Sequence, residues 1–529
     1  MAELDTTQLL IADAPQYFFD NGIIESVQNV TRTIHSPVRS DANPLLRKDK
    51  PWEHVPYFGS ADYVVWRDSD SGEFRCLYTD WQFDRERYAA GGASVMDWGI
   101  TLDRQLYARS SDGLSWEKPA MGLAQHDGSD TNIVLGGEDY GTVWNLTLLD
   151  DPLEPARERR FKALYSHIPP GAVPEHGVWE TMKSAFSADG IHWTPHPQAP
   201  SFGRLGSRLG DVAIVCYDPE TQTYLLNTRH PWQEEAPGSR ATAGAAGPAF
   251  DATLDVPDRR ARRRIFQCES RDFLHWSEPR LILSPDPELD NLDDCFYGLN
   301  AFRLGNEWVG FLDVFHMVAN TVDVQLVHSR DGRRWRRITA GKPWLTCGDT
   351  GTWDEFMSYH VHGFPVDNET WFYYGGARHH HDWWITGLRE GLDVPEASDL
   401  DQVAFGLGLA KLRRDGFVSL GANHVREGMI ATQPFVSSGA ALTINAACRP
   451  RGYIKVELCD IAGEPLPGRS FDASDTFRSD SVRHLVRWQG DPALSMAIEG
   501  DRPPWRRLRF ILRDAELYSF CVHMSEPAA

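Results

Sequence analysis

The chain has 529 residues, of which 53 are Lys or Arg and 75 are Asp or Glu, giving a net charge of −22. This acidic balance argues against nucleic acid or an anionic membrane as a partner, and a neutral ligand fits it best. No apolar run reaches the ~20 residues of a membrane span, and the first residues lack the basic and apolar segments of a signal peptide. We therefore expect a cytoplasmic protein without a membrane partner.

The eight cysteines form no CxxC pair and show no zinc-type spacing. Such scattered cysteines are typical of small buried apolar residues rather than of metal ligands. The sequence therefore predicts no cysteine metal site and no catalytic thiol.

A seven-residue turn signature recurs along the chain. Copies begin at Ser110, Ser187, Ser270 and Ser329, each with Asp at its third position and Trp at its seventh, and a shortened fifth copy begins at Arg413. Successive copies begin 77, 83, 59 and 84 residues apart. Asp and Gly suit a tight turn between two outer strands, and recurrence at such intervals indicates radially repeated sheets. The sequence predicts an all-β protein with a five-bladed β-propeller.

The pattern changes after the fifth copy of the turn. From about residue 429, short alternating strands such as residues 453–458 and 508–512 are separated by turns without the signature. Strands at that spacing are typical of an antiparallel sandwich. We predict a catalytic propeller over residues 1–425 and a C-terminal β-sandwich over residues 426–529.

Polar residues stand near the starts of four predicted inner strands. They are Asp62 in Gly-Ser-Ala-Asp, Asn145 in Trp-Asn-Leu, Asp211 in Gly-Asp, and Asp294 in Asp-Asp-Cys-Phe-Tyr-Gly. With the propeller and sandwich, this arrangement resembles the invertase and fructosidase superfamily, notably glycoside hydrolase family 32 and its furanosidase relatives. The resemblance implies that Asp62 is the nucleophile or base, Asp211 the general acid, Asp294 a third catalytic carboxylate near the axis, and Asn145 a substrate ligand.

The chemistry explains why paired carboxylates are needed. Glycoside cleavage uses one carboxylic acid to protonate the leaving oxygen and one carboxylate to attack the anomeric carbon or activate water. Carboxylates on neighbouring inner strands can meet that geometry. Each Asp alone is also consistent with a turn residue that bonds local backbone, and their coincidence in three blades favours the catalytic interpretation.

The predicted fifth blade carries a different group of polar residues. His360 and His362 are two apart on a strand, so both imidazoles are expected to face the axial channel, with Glu355 upstream and Arg378 and His379 downstream. These side chains suit hydrogen bonding to a sugar, to a phosphate or to a carboxylated sugar. A divalent metal at these histidines is the less favoured alternative.

Two further features concern the mouth of the pocket. Trp81 is among the aromatic residues expected to stack on the faces of sugar rings, together with Trp98, Trp232, Trp383 and Trp384. The basic run at residues 259–264 leads directly into a strand, so we interpret it as a solvated strand start rather than a nucleic-acid patch.

The sequence thus predicts a glycoside hydrolase that cleaves short glycosides or oligosaccharides by a two-carboxylate mechanism, without a cofactor. Two alternatives remain open, because one fold hosts several chemistries. The first is a histidine- or metal-dependent lyase or a glycoside phosphorylase. The second is a carbohydrate-binding protein without catalysis.

Overall fold

The computed structural model describes residues 11, 13–59, 61–82, 103–170, 182–207, 209, 212–229, 263–383, 387, 393–437, 439–494 and 505–525. Nearly all regular elements in these ranges are strands, which confirms the all-β prediction. The exceptions are one short α-helix, α1 (Pro395–Ser398), and 3-10 turns at Arg157–Arg159, Gly203–Leu205 and Leu400–Gln402. None of the described helices is long and apolar enough to cross a membrane.

The chain begins with four short strands that pair with distant parts of the sequence. They are β1 (Pro15–Tyr17), β2 (Ile24–Gln28), β3 (Thr31–Ile34) and β4 (Val38–Arg39). Strands β1 to β3 join the C-terminal sheet, whereas β4 is the outer strand of the last blade.

Five antiparallel units follow, which we call blades one to five in chain order. Blade one contains β5 (Val55–Tyr57), β6 (Tyr63–Arg67), β7 (Phe74–Trp81), β8 (Arg104–Ser110) and β11 (Ile133–Leu135), with a separate hairpin of β9 (Gln125–His126) and β10 (Ser129–Asp130). Blade two contains β12 (Thr142–Asp150), β13 (Phe161–Ile168), β14 (Met182–Ser187) and β15 (Thr194–Pro195). Blade three contains β16 (Ser201–Phe202), β17 (Ala213–Asp218), β18 (Thr223–Thr228), β19 (Ile265–Ser270), β20 (His275–Trp276) and β21 (Arg280–Leu283).

Blades four and five are joined in one sheet by a single parallel bridge between Val322 and Met357. Blade four contains β22 (Asp294–Leu304), β23 (Glu307–His316), β24 (Thr321–Ser329) and β25 (Trp335–Arg337). Blade five contains β26 (Met357–Val366), β27 (Glu369–Ala377), β28 (Phe405–Arg413) and β4.

The inner strands of the five blades form a closed ring. Strand β6 contacts β12, β12 contacts β17, β17 contacts β22, β22 contacts β26, and β26 contacts β6. This ring is the arrangement that radially repeated sheets require, since each blade packs on the next around an axis.

In blades one to four, the recurring turn follows an outer strand, β8, β14, β19 or β24, as predicted, whereas the fifth copy leads from β28 into the C-terminal sheet. In blade one, the Asp112 carboxylate accepts the N–H groups of Leu114 and Ser115 at 2.8 and 2.7 Å, and Gly113 has a φ of +72°. The copies in blades two, three and four repeat the same pair of hydrogen bonds. In blade three, Phe273 takes the Gly position at a φ of +69° and is fully buried, so ring burial offsets the backbone strain.

The C-terminal strands form one nine-stranded sheet with β1, β2 and β3. They are β29 (Val418–Ala422), β30 (Gly428–Thr432), β31 (Phe435–Val436), β32 (Ala441–Cys459), β33 (Asp480–Leu485) and β34 (Trp505–His523). This sheet therefore contains N-terminal segments that the sequence-based division assigned to the first domain. The two-layer sandwich stays a prediction.

One apolar core joins the C-terminal sheet to blades four and five. Phe417, just before β29, packs on Trp344 and Phe372 with ring centroids 5.9 and 5.7 Å apart, and all three are fully buried. Burying large aromatic side chains is strongly favourable, so this core holds the sheet against the ring.

Candidate active site

Several of the predicted site residues lie at one end of the ring. In an antiparallel blade, the start of the first strand, the end of the second and the start of the third all lie at the same end. Asp62 precedes β6, Trp81 ends β7, Arg229 follows β18 and Arg263 precedes β19 by two residues. The connection that follows β27 brings residues 378–383 to this end as well.

Asp62 is held in a tight turn at the start of blade one. Its N–H donates to the carbonyl of Gly59 at 2.9 Å, and its side chain is 5% exposed. One carboxylate oxygen, Oδ1, accepts the hydroxyl of Thr79 at 3.1 Å and the backbone N–H of Asn145 at 2.8 Å. The carboxylate is therefore fixed in position by groups from two blades.

Asn145 lies at a bulge of the inner strand of blade two. The pairing of β12 with β13 shifts register between Trp144 and Thr147, and Asn145 has a φ of +51°. Its side-chain Nδ2 is buried without a hydrogen-bond partner among the described residues. The structure thus places this predicted substrate ligand next to Asp62.

An aromatic group lies close to Thr79, the residue whose hydroxyl bonds Asp62, since Tyr57 pairs with Thr79 across the sheet. The ring of Tyr57 is 5.3 Å from that of Trp81 and 4.6 Å from that of Phe405, and Phe405 lies 4.6 Å from the ring of His379. Tyr57 and Trp81 are partly exposed. Rings in this arrangement offer apolar faces on which a sugar can stack.

Tyr359 links this aromatic group to the carboxylate. It is fully buried, and its hydroxyl occupies the space that a side chain at Gly59 would need, 1.9 Å from a Cβ built there. Burial raises the pKa of Tyr359 well above its usual value, and the neighbouring Tyr57, Tyr297 and Asp62 raise it further. Tyr359 is therefore a neutral phenol close to the predicted nucleophile, and the sequence analysis did not identify it.

The segment after β27 supplies two buried histidines. His379 donates its Nδ1–H to the carbonyl of His380 at 2.9 Å, and its pKa is lowered to about 4, chiefly by burial. His381 contacts the carboxylate of Asp382 at 2.7 Å through Nδ1. In both histidines Nε2 is buried without a hydrogen-bond partner in the described part of the chain.

Two arginines that the sequence analysis did not select lie against Tyr297. The guanidinium carbons of Arg229 and Arg263 are 4.0 and 4.9 Å from the centroid of the Tyr297 ring, and both arginines are almost fully buried. The interpretation of the basic run as a solvated strand start is therefore wrong for Arg263, which turns inward at the start of β19. The only signal in the sequence was its position immediately before a strand.

His360 and His362 lie deeper, on the axis. Both line an axial cavity of about 330 Å³, as predicted from their spacing, and their ring centroids are 4.9 Å apart. Burial lowers the pKa of His362 to about 4, and burial together with His362 lowers the pKa of His360 well below its usual value. Both imidazoles are neutral at pH 7, and their role as substrate ligands stays a prediction.

The remaining predicted residues are distributed differently. Asp294 contacts His316 Nδ1 at 2.7 Å through Oδ1 and accepts the N–H of Asn291 at 2.9 Å through Oδ2, so both oxygens are engaged within the protein. Glu355 and the exposed Arg378 lie 3.7 Å apart in connections of blade five. The remaining candidates, Asp211, Trp98, Trp232 and Trp384, lie outside the described residues.

In the part of the chain that the structure describes, no group of three or more His, Cys, Asp or Glu side chains is arranged to hold a metal ion. The histidines of residues 379–381 instead contact carbonyl and carboxylate groups individually.

The sequence matches no protein-family model and no curated protein. Among solved structures, the chain is similar to a protein described as a glycoside hydrolase, at 12% identity and a TM-score of 0.42, over 72% of this chain and 92% of that one. It is also similar to the catalytic domain of a GH62 α-L-arabinofuranosidase from Coprinopsis cinerea, at 12% identity and a TM-score of 0.41, over 71% of this chain and 97% of that one. A GH32 β-fructofuranosidase from Bombyx mori matches at 12% identity and a TM-score of 0.36, over 94% of this chain and 95% of that one.

Proposed function

We propose that the protein is a glycoside hydrolase that cleaves short glycosides or oligosaccharides at the end of the ring where Asp62 lies. The observation that supports this most is the setting of Asp62 itself. Its carboxylate is oriented by Thr79 and Asn145, and the ring pair of Tyr57 and Trp81 lies close to Thr79, with which Tyr57 pairs across the sheet. A fixed carboxylate near apolar ring faces is the combination that sugar cleavage requires.

In this proposal, Asp62 attacks the anomeric carbon or takes the proton of the attacking water. The hydrogen bonds to Oδ1 stop the carboxylate from rotating, so the approach to the sugar is set before the substrate binds. Asp211 remains the proposed general acid that protonates the leaving oxygen. Trp81 and Tyr57 hold the sugar by stacking.

The test is a substrate screen with matched variants. We expect purified protein to hydrolyse one or more aryl furanosides, aryl pyranosides or oligosaccharides, and we expect Asp62→Asn to lower kcat by about 10³-fold. Asp68→Asn is the control, because Asp68 is equally buried and flanks the other end of β6. Asp211→Asn tests the acid, which an aryl substrate with a good leaving group needs less than an oligosaccharide does.

The outcome distinguishes a two-carboxylate hydrolase from a metal-dependent enzyme. Activity that survives EDTA and falls only in the Asp62 and Asp211 variants supports the two-carboxylate mechanism. Activity that EDTA abolishes, or that Asp62→Asn retains, overturns it.

A further inference from the structure

A group of polar and charged residues lies at the same end of the ring as the proposed hydrolytic carboxylate. It consists of Arg229, Arg263, Tyr297, His381 and Asp382, which we call the arginine cluster. Tyr297 is the common platform, since both guanidinium groups lie over its ring and the ring of His381 lies 4.9 Å from it. Tyr297 and Asp62 both raise the pKa of Tyr359, so the arginine cluster and Asp62 lie within electrostatic range of the same hydroxyl.

A buried arginine that is held against an aromatic ring is well suited to binding an oxyanion. The guanidinium is planar, stays charged, and presents N–H groups that match the two oxygens of a carboxylate or the oxygens of a phosphate. Contact with the face of Tyr297 helps to hold each guanidinium in position before any ligand arrives. Arg229 is 2% exposed and Arg263 is 3% exposed, so both act where the dielectric constant is low and an ionic contact is strong.

The neighbouring dyad of His381 and Asp382 is also held rigidly. The side-chain oxygen of Asn320 accepts the N–H of Asp382 at 2.6 Å, and its carbonyl accepts the N–H of His381 at 3.0 Å. Nδ1 of His381 bonds Asp382, so Nε2 lies on the other side of an imidazole whose centroid is 4.9 Å from that of Tyr297. That Nε2 has no hydrogen-bond partner among the described residues, although the side chain is only 4% exposed.

Asp382 interacts electrostatically with both arginines as well as with His381. Burial opposes its ionisation, but His381 and then Arg263 and Arg229 outweigh that effect and lower its pKa below the usual value. The carboxylate is therefore ionised, and it orients His381 so that Nε2 points away from it. A buried imidazole nitrogen held in this way needs a partner to be satisfied.

We propose that Arg229, Arg263 and His381 form a binding site for an oxyanion of the substrate, so that this protein acts on acidic sugars. The oxyanion is the carboxylate of a hexuronic acid or a related acidic sugar, and it contacts the two guanidinium groups and His381 Nε2. Inorganic phosphate offers the same chemistry, and it would be the attacking group of a phosphorylase. The assignment of the oxyanion to a sugar rests on the proposed hydrolase function, whereas binding of the oxyanion does not.

The experiment is isothermal titration calorimetry on the whole protein with four probes. These are glucuronate, galacturonate, glucose and inorganic phosphate. We expect a uronate to bind at least tenfold more tightly than glucose, and Arg263→Gln to weaken uronate binding at least tenfold. Arg303→Gln is the matched control, since Arg303 also lies over an aromatic ring, that of Trp308, but near the opposite end of β22.

A second variant is needed because Arg263 is buried and its replacement can disturb folding. His381→Gln keeps a polar side chain near Nε2, and we expect it to weaken uronate binding about tenfold while the thermal transition stays cooperative. Binding of phosphate in preference to both uronates assigns the oxyanion to phosphate and overturns the acidic-sugar assignment. Equal binding of uronate and glucose, or uronate binding unchanged in Arg263→Gln and His381→Gln, overturns the oxyanion site.

The Asp62→Asn variant separates this inference from the proposed hydrolysis. Uronate binding retained in Asp62→Asn while hydrolysis is lost supports both proposals. Uronate binding in a protein whose Asp62→Asn variant keeps full hydrolytic activity supports the oxyanion site and contradicts the role of Asp62.

Discussion

Asp313 of blade four accepts a hydrogen bond from the backbone N–H of His360 in blade five, at 2.9 Å. Asp62 of blade one makes the same contact with the N–H of Asn145 in blade two, at 2.8 Å. In both cases the donor is a bulge residue with a positive φ on the inner strand of the next blade. A bulge leaves an N–H outside the strand ladder, and a carboxylate from the preceding blade satisfies it.

The stability of the protein is expected to fall with rising pH because of Asp313. Burial raises the pKa of Asp313 to about 8, and the hydrogen bond from His360 offsets only part of that effect. The folded protein therefore holds a proton that the unfolded chain releases near pH 4, so Asp313 lowers stability as the pH rises from about 4 to about 8. We expect Asp313→Asn to be more stable than the wild type by about 2 kcal/mol at pH 8, with a smaller difference at pH 4. Urea unfolding at both pH values measures this, and a constant difference would contradict the assignment.

Asp62 has a structural role in addition to its proposed chemistry. Asp62→Ala removes the acceptor of both Thr79 and Asn145, whereas the side-chain oxygen of Asp62→Asn can still accept. We expect Asp62→Ala to lose about 1–3 kcal/mol of unfolding free energy and Asp62→Asn to lose much less. Denaturant unfolding of the two variants checks this. Equal stability would show that the contact with Asn145 contributes little.

Gly59 is expected to tolerate no side chain. A Cβ at this position would lie 1.9 Å from the hydroxyl oxygen of Tyr359 and 2.8 Å from the ring of Tyr57. We expect Gly59→Ala to cost about 2 kcal/mol and to lower activity, because Tyr359 must move. The double variant Gly59→Ala, Tyr359→Phe removes the closest contact, so partial recovery of stability supports this explanation and additive losses contradict it.

Asp294 is expected to act mainly on stability. His316 lies between Asp294 and Asp323, at 2.7 and 3.0 Å, and these contacts outweigh burial and raise the pKa of His316 to about 10. A raised histidine pKa stabilises the fold fully below about pH 6.5, and this contribution disappears as the pH rises through 10. We expect Asp294→Asn to lose about 2 kcal/mol at pH 7 and less near pH 10. Urea unfolding at both pH values measures this loss. A loss of activity without a loss of stability would favour the catalytic role that the sequence predicted.

The recurring turns are expected to contribute stability without chemistry. Hydrogen bonds from Ile191 and from His192 outweigh burial and lower the pKa of Asp189 to about 2. Its contribution is therefore present above about pH 4 and is lost as the pH falls towards 2. We expect Asp189→Ala to lose about 1 kcal/mol at pH 7 with kcat unchanged. A thermal melt with a parallel activity assay tests this, and a loss of activity in a fully folded variant would contradict it.

Local chemistry explains what could be predicted from the sequence. The turn signature could be found because its Asp and Gly act within four residues, through hydrogen bonds and a positive φ that need no distant partner. The strands could be placed because side chains alternate with a period of two. His360 and His362 both line the axial cavity as predicted, although the bulge at His360 interrupts the strict alternation on which that prediction depended.

The site depended on contacts between residues far apart in the chain. Arg229 and Arg263 meet Tyr297 only because the end of β18, the start of β19 and the start of β22 lie at one end of neighbouring blades. The strands β1 to β3 join the last sheet through hydrogen bonds to residues about 400 to 500 positions away, which no local pattern records. The sequence by itself determined the strands, the turns and their repetition, since these follow from backbone preferences and periodicity. Only the tertiary structure decided which charged groups are buried together, because burial and pairing depend on where the blades bring distant residues into contact.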